Sequence, residues 1–138
     1  MRPFKFTSFL FLLFMIVSLT ACSVQKKLHN RVTGLWNIAS YHENNLNTPD
    51  AGMSNIGTMS FFSNGTGTGS ISFNISQNSN LKGGTFKWSN TDNTVTITDS
   101  NTGLAKSWIV IKSSKSKQEW QSTDGTGNVQ SLTLTKVK

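Results

Sequence analysis

Met59-Ser60-Phe61-Phe62-Ser63-Asn64-Gly65-Thr66 is the stretch that decides the fold. Ile56 to Phe62 has the aromatic and alternating content of a half-buried strand. Asn64-Gly65 then supplies the strongest short-range hairpin signal, because both residues accept the positive φ that a two-residue turn demands. Beyond the turn a strand resumes over Thr66 to Ser76. Ile71, Phe73 and Ile75 fall on one face, Ser70, Ser72 and Asn74 on the other. Gly67 and Gly69 near its start suggest a bulge or a sharp bend.

The same unit of strand and tight turn repeats outward in both directions. Downstream, Gly84 to Asn90 sets Phe86 and Trp88 against Lys87, and Thr94 to Thr98 points Val95 and Ile97 inward. Leu104 to Ser113 is doubled, with Trp108 and Val110 on one side and Ile109 and Ile111 on the other, a pattern suited to cover on both faces. Lys117 to Ser122, around Trp120, and Val129 to Val137, with Leu132 and Leu134, complete the series. Upstream, Gly34 to Glu43 places Trp36, Ile38, Ser40 and His42 on one face and Leu35, Asn37, Ala39 and Tyr41 on the other. Asn44 to Asn55, with Asn-Thr-Pro-Asp and Gly52, reads as the longest loop. The abundance of Ser, Thr, Asn and Gly suits pleated strands and turns and is poor material for helices. The expectation is an all-β domain, an eight-stranded antiparallel up-and-down β-barrel, since a meander of that size removes its exposed edges by closing.

The first residues differ in kind. Arg2 and Lys5 precede an apolar run from Phe9 to Val17, the plan of a secretory signal. The run is shorter than the roughly 20 residues a spanning helix needs. It ends in Leu19-Thr20-Ala21-Cys22, which matches the lipobox of bacterial lipoproteins. The competing reading is an ordinary signal peptide in which Cys22 is incidental. Cys22 is the only cysteine in the chain and sits directly after a small residue, which favours the lipobox. The resemblance implies cleavage before Cys22 and acylation there, and two or three acyl chains anchor stably where one would be marginal. It divides the chain into a signal peptide (1–21), a lipid-anchored tether (22–33) and one domain (34–138). Ser23 stands where an Asp would, in the familiar sorting pattern, hold a lipoprotein at the inner membrane. The implied address is therefore the cell envelope, at the outer membrane.

The chain carries 13 Lys and Arg against 6 Asp and Glu, and the excess persists once Arg2 and Lys5 are removed. An exported address sets nucleic acid aside as a partner. Lys26, Lys27 and Arg31 follow the anchor, where anionic head groups would attract them; a solvated tether explains them equally well. Lys112, Lys115 and Lys117 surround one turn, either as a solvated hairpin tip or as a contact for an acidic partner. With one cysteine there is no internal disulfide framework.

Gly34-Leu35-Trp36 matches the Gly-X-Trp signature of lipocalins. The order of Gly-X-Trp strand, loop and seven further strands is similar to the lipocalin-like domain of small bacterial lipoproteins over residues 34–138. Residues 59–66 and Phe86-Lys87-Trp88 share its style. The chain departs from the family in two motifs. Thr91-Asp92 lacks the Tyr of the Thr-Asp-X-X-Tyr element, and no Arg follows Arg31, leaving Lys136 as a poor substitute against the signature Trp because an ammonium does not stack as a guanidinium does.

No constellation carries chemistry, so the chain is not expected to be an enzyme or to hold a cofactor or metal. The Gly-rich stretches at 64–69 and 124–128 run into strands and not into the helix a phosphate cradle needs. His29 lies in the tether and His42 near a barrel rim. The first functional expectation is a monomeric carrier of a small apolar or amphipathic ligand. Its wall would be Ile38, Phe73, Phe86, Trp88 and Trp120, with Ser40 and His42 orienting a head group and the 44–55 loop as a lid. The alternative is a barrel filled by those side chains, acting as an interaction or inhibitor module in the envelope. The address is checked by membrane fractionation: Cys22→Ala should release the protein from the membrane pellet, and a variant that still pellets would remove the anchor.

Overall fold

The computed structural model describes residues 23–45, 48–71, 83–98, 103–123, 125 and 127–138. One helix, α1 (residues 23–32), precedes eight strands. These are β1 (Gly34–Asn45), β2 (Thr48–Phe61), β3 (Thr66–Ile71), β4 (Gly84–Asn90), β5 (Thr94–Thr98), β6 (Ser107–Ser113), β7 (Lys117–Thr123) and β8 (Val129–Lys136). Each strand pairs antiparallel with the next, and β1 also pairs with β8, closing an up-and-down barrel of the lipocalin-like kind.

The Asn64-Gly65 turn forms as its residues dictate. Gly65 sits at φ 82°, the Phe62 amide donates to the Thr66 carbonyl at 2.8 Å, and the Asn64 side chain accepts from the Thr66 amide at 3.0 Å. Other elements correct the expectation. The 44–55 loop is largely a ladder: Tyr41 pairs with Met53, His42 with Gly52 and Glu43 with Ala51, so no lid leaves the barrel there. Gly67 and Gly69 lie in unbroken register with both neighbours, without a bulge. Gly67 instead makes room, since a Cβ there would collide with the Phe86 ring opposite and with the Ser60 carbonyl. Ile109 and Ile111 remain 53% and 56% exposed, so β6 is covered on its inner face only.

Inward-facing residues of β1, β2 and β4 to β8 fill one continuous core, to which the described residues of β3 add no apolar side chain. Trp36, Trp108, Trp120, Phe61, Met59 and Leu134 are among its fully buried members. Phe61 sits amid three edge-on ring contacts, to Phe86 at 5.2 Å, Trp88 at 5.5 Å and Trp120 at 5.7 Å. That geometry aligns positive ring edges with negative faces.

The segment expected to be a tether, with room for a single helical turn around Lys26 to Asn30, is the longer helix α1, which docks across one end of the barrel. Gln25, Leu28, His29 and Val32 share a helical face, and Leu28 and Val32 join the core. Only two of those four are apolar, which leaves no helical period to read; a helix this short is held by docking and not by propensity. The His29 ring stacks on Trp88 with centroids 4.6 Å apart, and its nitrogens bond Asn90 Oδ1 and the Ser63 carbonyl, each at 3.1 Å. Asn90 also exchanges hydrogen bonds with Gln25, accepting at its carbonyl (2.8 Å) and donating from Nδ2 (2.9 Å).

Where α1 meets β1, the Trp36 indole donates to the Val32 carbonyl at 2.6 Å. Lys136 lies over the Trp36 ring at 4.5 Å and donates from Nζ to the Thr33 carbonyl at 2.8 Å. The position expected to be a poor substitute is therefore occupied by Lys136 as a cation over the indole face, while its charge is met by a backbone oxygen. Burial lowers the Lys136 pKa from the ordinary lysine value. Gly34, at φ 128°, tolerates a conformation costly to other residues, and a Cβ there would fall on the Lys136 ammonium. Replacing Trp36 by Ala should cost about 3–5 kcal/mol in urea unfolding, the range for emptying a large aromatic site; a change under about 1 kcal/mol would mean that the indole does not hold this end.

Candidate functional site

The structure separates the expected ligand wall into two groups. Ile38, Phe86, Trp88 and Trp120 do point inward, and all are buried. They are spent on one another, however. Trp88 donates its indole proton to the Phe62 and Thr66 carbonyls at 3.0 and 3.1 Å, and Phe61 fills the space between the Phe86, Trp88 and Trp120 rings. Phe73 lies outside the described residues.

Ser40 and His42 are on the outer surface, not the inner one. The cause is a bulge in β1: Ile38 pairs with Leu134 and Ser40 with Thr133, which leaves Ala39 as one extra residue against β8. A one-residue insertion reverses every later side chain. Tyr41, expected outside, is thus only 4% exposed, whereas His42 is exposed. On the outer face the His42 ring covers Gly52, where a Cβ would come within 2.6 Å of it. On β2 the bulge faces Asn55 and Ile56, and Asn55 adopts φ 53°, in the left-handed region that Asn tolerates better than most residues.

The same reversal carries Glu43 inward, next to the end opposite α1. There the Tyr41 hydroxyl donates to the Glu43 carboxylate. Gln130 Nε2 donates to Glu43 Oε1 at 3.3 Å, and Lys106 Nζ donates to Gln130 Oε1. The Lys106 ammonium also lies 5.5 Å from the centre of the Trp108 ring. An anion and a cation are thereby linked through one amide that donates to the first and accepts from the second. Beneath this cluster Leu132 and Trp120 form an apolar floor, each only 1% exposed, and Leu132 pairs with both Tyr41 and Trp120. The strand ends at this mouth hold the only inward-facing acid described, and nothing in the strand alternation of the sequence marks it.

Burial, the Glu43 charge and the hydrogen bond to Glu43 all raise the Tyr41 pKa above the ordinary phenol value. Tyr41 is the only tyrosine in the chain, so its ionisation can be followed in isolation. A group whose folded pKa is raised contributes stability that is intact below the unfolded value and is lost above it. Tyrosinate absorbance should therefore be absent from the native protein at pH 10–11, around and above the ordinary phenol pKa of about 10, and should appear with alkaline unfolding. Glu43→Gln should let it appear earlier. Half-ionisation near pH 10 in the folded protein would show that Tyr41 is not enclosed.

An open depression of about 370 Å³ lies outside the barrel wall, between the β2–β3 turn and β4–β5, lined by Asn64, Thr66, Lys87, Ser89 and Thr98. Trp88 also lines it, so polar side chains and apolar surface share a shallow rim. Among the described residues no group of three His, Cys, Asp or Glu is placed to hold a metal ion. Comparison with family models, with curated proteins and with solved structures finds no match to the chain.

Proposed function

We propose that this chain is a lipid-anchored envelope protein, held at the outer membrane through Cys22, whose barrel is a filled scaffold that acts through its outer surface as an interaction or inhibitor module. One observation carries the choice between filled barrel and carrier. Phe61 points inward from the last position of β2, opposite Gly34, with the Phe86, Trp88 and Trp120 rings closed around it at 5.2–5.7 Å. Those are the side chains a carrier would present to its ligand, and here they satisfy one another. The anchor is supported by the lipobox match alone, Leu19-Thr20-Ala21-Cys22.

A second reading keeps a ligand but moves it to the mouth. Tyr41, Glu43, Gln130 and Lys106 could orient the polar head of a small amphipathic molecule above Leu132 and Trp120. Tryptophan emission of the mature chain, titrated with fatty acids, retinoids and haem-like compounds, separates the readings. The filled scaffold should give no saturable change. A saturable change abolished by Glu43→Gln would support the mouth, and one abolished by Trp88→Phe would restore carriage in the interior.

A further inference from the structure

The basic residues that the sequence scatters over three segments meet at the end of the barrel that α1 closes. The outer face of α1 presents Val24, Lys26, Lys27 and Asn30, all exposed, while its inner face is fixed to the barrel. Arg31 Nη1 donates to the Ser113 carbonyl at 3.1 Å, which ties the helix to the β6–β7 turn. That turn carries Lys112, Lys115 and Lys117. The Lys136 amide donates to the Ser116 carbonyl at 2.9 Å, joining the last strand to the same turn. Of the described acidic residues, Asp92 and Glu119 lie at this end. Glu119 is bound to Lys117 at 2.6 Å, which with the Lys112 charge holds its carboxyl below the usual range. The remaining inward-facing acid, Glu43, is at the other end.

We propose that this closed end is a docking face for the anionic head groups of the membrane in which the chain is anchored, so that the barrel stands on the bilayer with its mouth turned away. The proposal rests on the lipid-anchor reading above. Two features select a lipid surface over an acidic protein. The face is continuous with the anchor, because Cys22 immediately precedes the first helical residue, and consecutive Cα atoms are only about 3.8 Å apart. Acyl chains leaving that point bring the helix to head-group level without any spacer. Each Lys or Arg held near an anionic surface adds attraction that fades within a Debye length, about 8 Å at physiological salt, and the helix keeps its lysines inside that distance. The segment that would have been a tether is the device that removes slack between barrel and membrane.

The test uses the mature acylated protein, reconstituted into vesicles of phosphatidylethanolamine with phosphatidylglycerol, or of phosphatidylcholine alone. A spin label is placed on Asn30→Cys, on the outer face of α1, or on Asn44→Cys, exposed at the mouth end of β1. Acylated Cys22 is a thioether and takes no label, so labelling of the otherwise unaltered protein would show a free thiol and overturn the anchor reading itself, and with it the docking. With the anchor present, the label on Asn30→Cys should be severalfold less accessible to an aqueous nickel complex than the label on Asn44→Cys. The difference should require phosphatidylglycerol, and it should vanish in 1 M salt or with Lys26→Glu and Lys27→Glu together. Equal accessibility of the two sites would overturn the docking while leaving the anchor intact. So would protection that is indifferent to lipid charge and grows with protein density, which would mark the face as a contact between copies.

Discussion

A single indole proton holds the closed end together. Trp36 donates it to the carbonyl of Val32, the last residue of α1, and so fixes the angle at which the helix enters the barrel. From that bond the other contacts at this end follow. Gly34 must turn at positive φ to carry the chain from helix to strand, its missing Cβ leaves space for Lys136, and Lys136 covers the indole from the last strand. First and last strands are thus locked to each other and to the helix at one point, which is where a barrel must close. A hydrogen bond buried among apolar side chains is costly to break without replacement, so the arrangement is held more firmly than any one contact would suggest.

The interior is governed by the size of its rings. Four tryptophans and the buried phenylalanines must fit inside eight strands, and the wall yields to them where it has glycine. Gly67 lies under the Phe86 ring, and that concession lets Phe61 meet three aromatic partners edge-on. Rings packed in this way hold the wall around Phe61 rigid. The surface carries three distinct patches: the basic end at α1, the polar mouth around Glu43, and the exposed Ile109 and Ile111 on the flank of β6.

Orientation and recognition are linked through α1. The helix is a plug for the barrel on its inner face and a cluster of lysines on its outer face. The same ten residues therefore determine both the packing of one end and the charge that end displays. The opposite end combines its charges differently, with Glu43 and Lys106 joined by the Gln130 amide and the Tyr41 hydroxyl held neutral beside them.

The amino-acid order by itself determined the number of strands, their direction and their turns. Asn64-Gly65, Thr91-Asp92-Asn93 and Ser114-Lys115-Ser116 admit tight reversals, and the alternation between them has a period of two; β4 and β5 have the bounds their residues imply. Trp36, Phe86, Trp88 and Trp120 were legible as inward for the same reason. Three things were decided only by tertiary contacts. α1 is a helix because Leu28, His29 and Val32 have a barrel end to dock on, not because ten mostly polar residues favour it. β1 extends through a segment rich in Asn because β8 pairs with it as far as Asn44, and the edge so held is what β2 adds its own extension to. Above all, the bulge at Ala39 exchanges the two faces of β1, sending Ser40 and His42 out and bringing Tyr41 and Glu43 in. Alanine is no bulge signal; the extra residue exists because β1 must satisfy two neighbours at once, and local sequence carries no record of a partner 90 residues away.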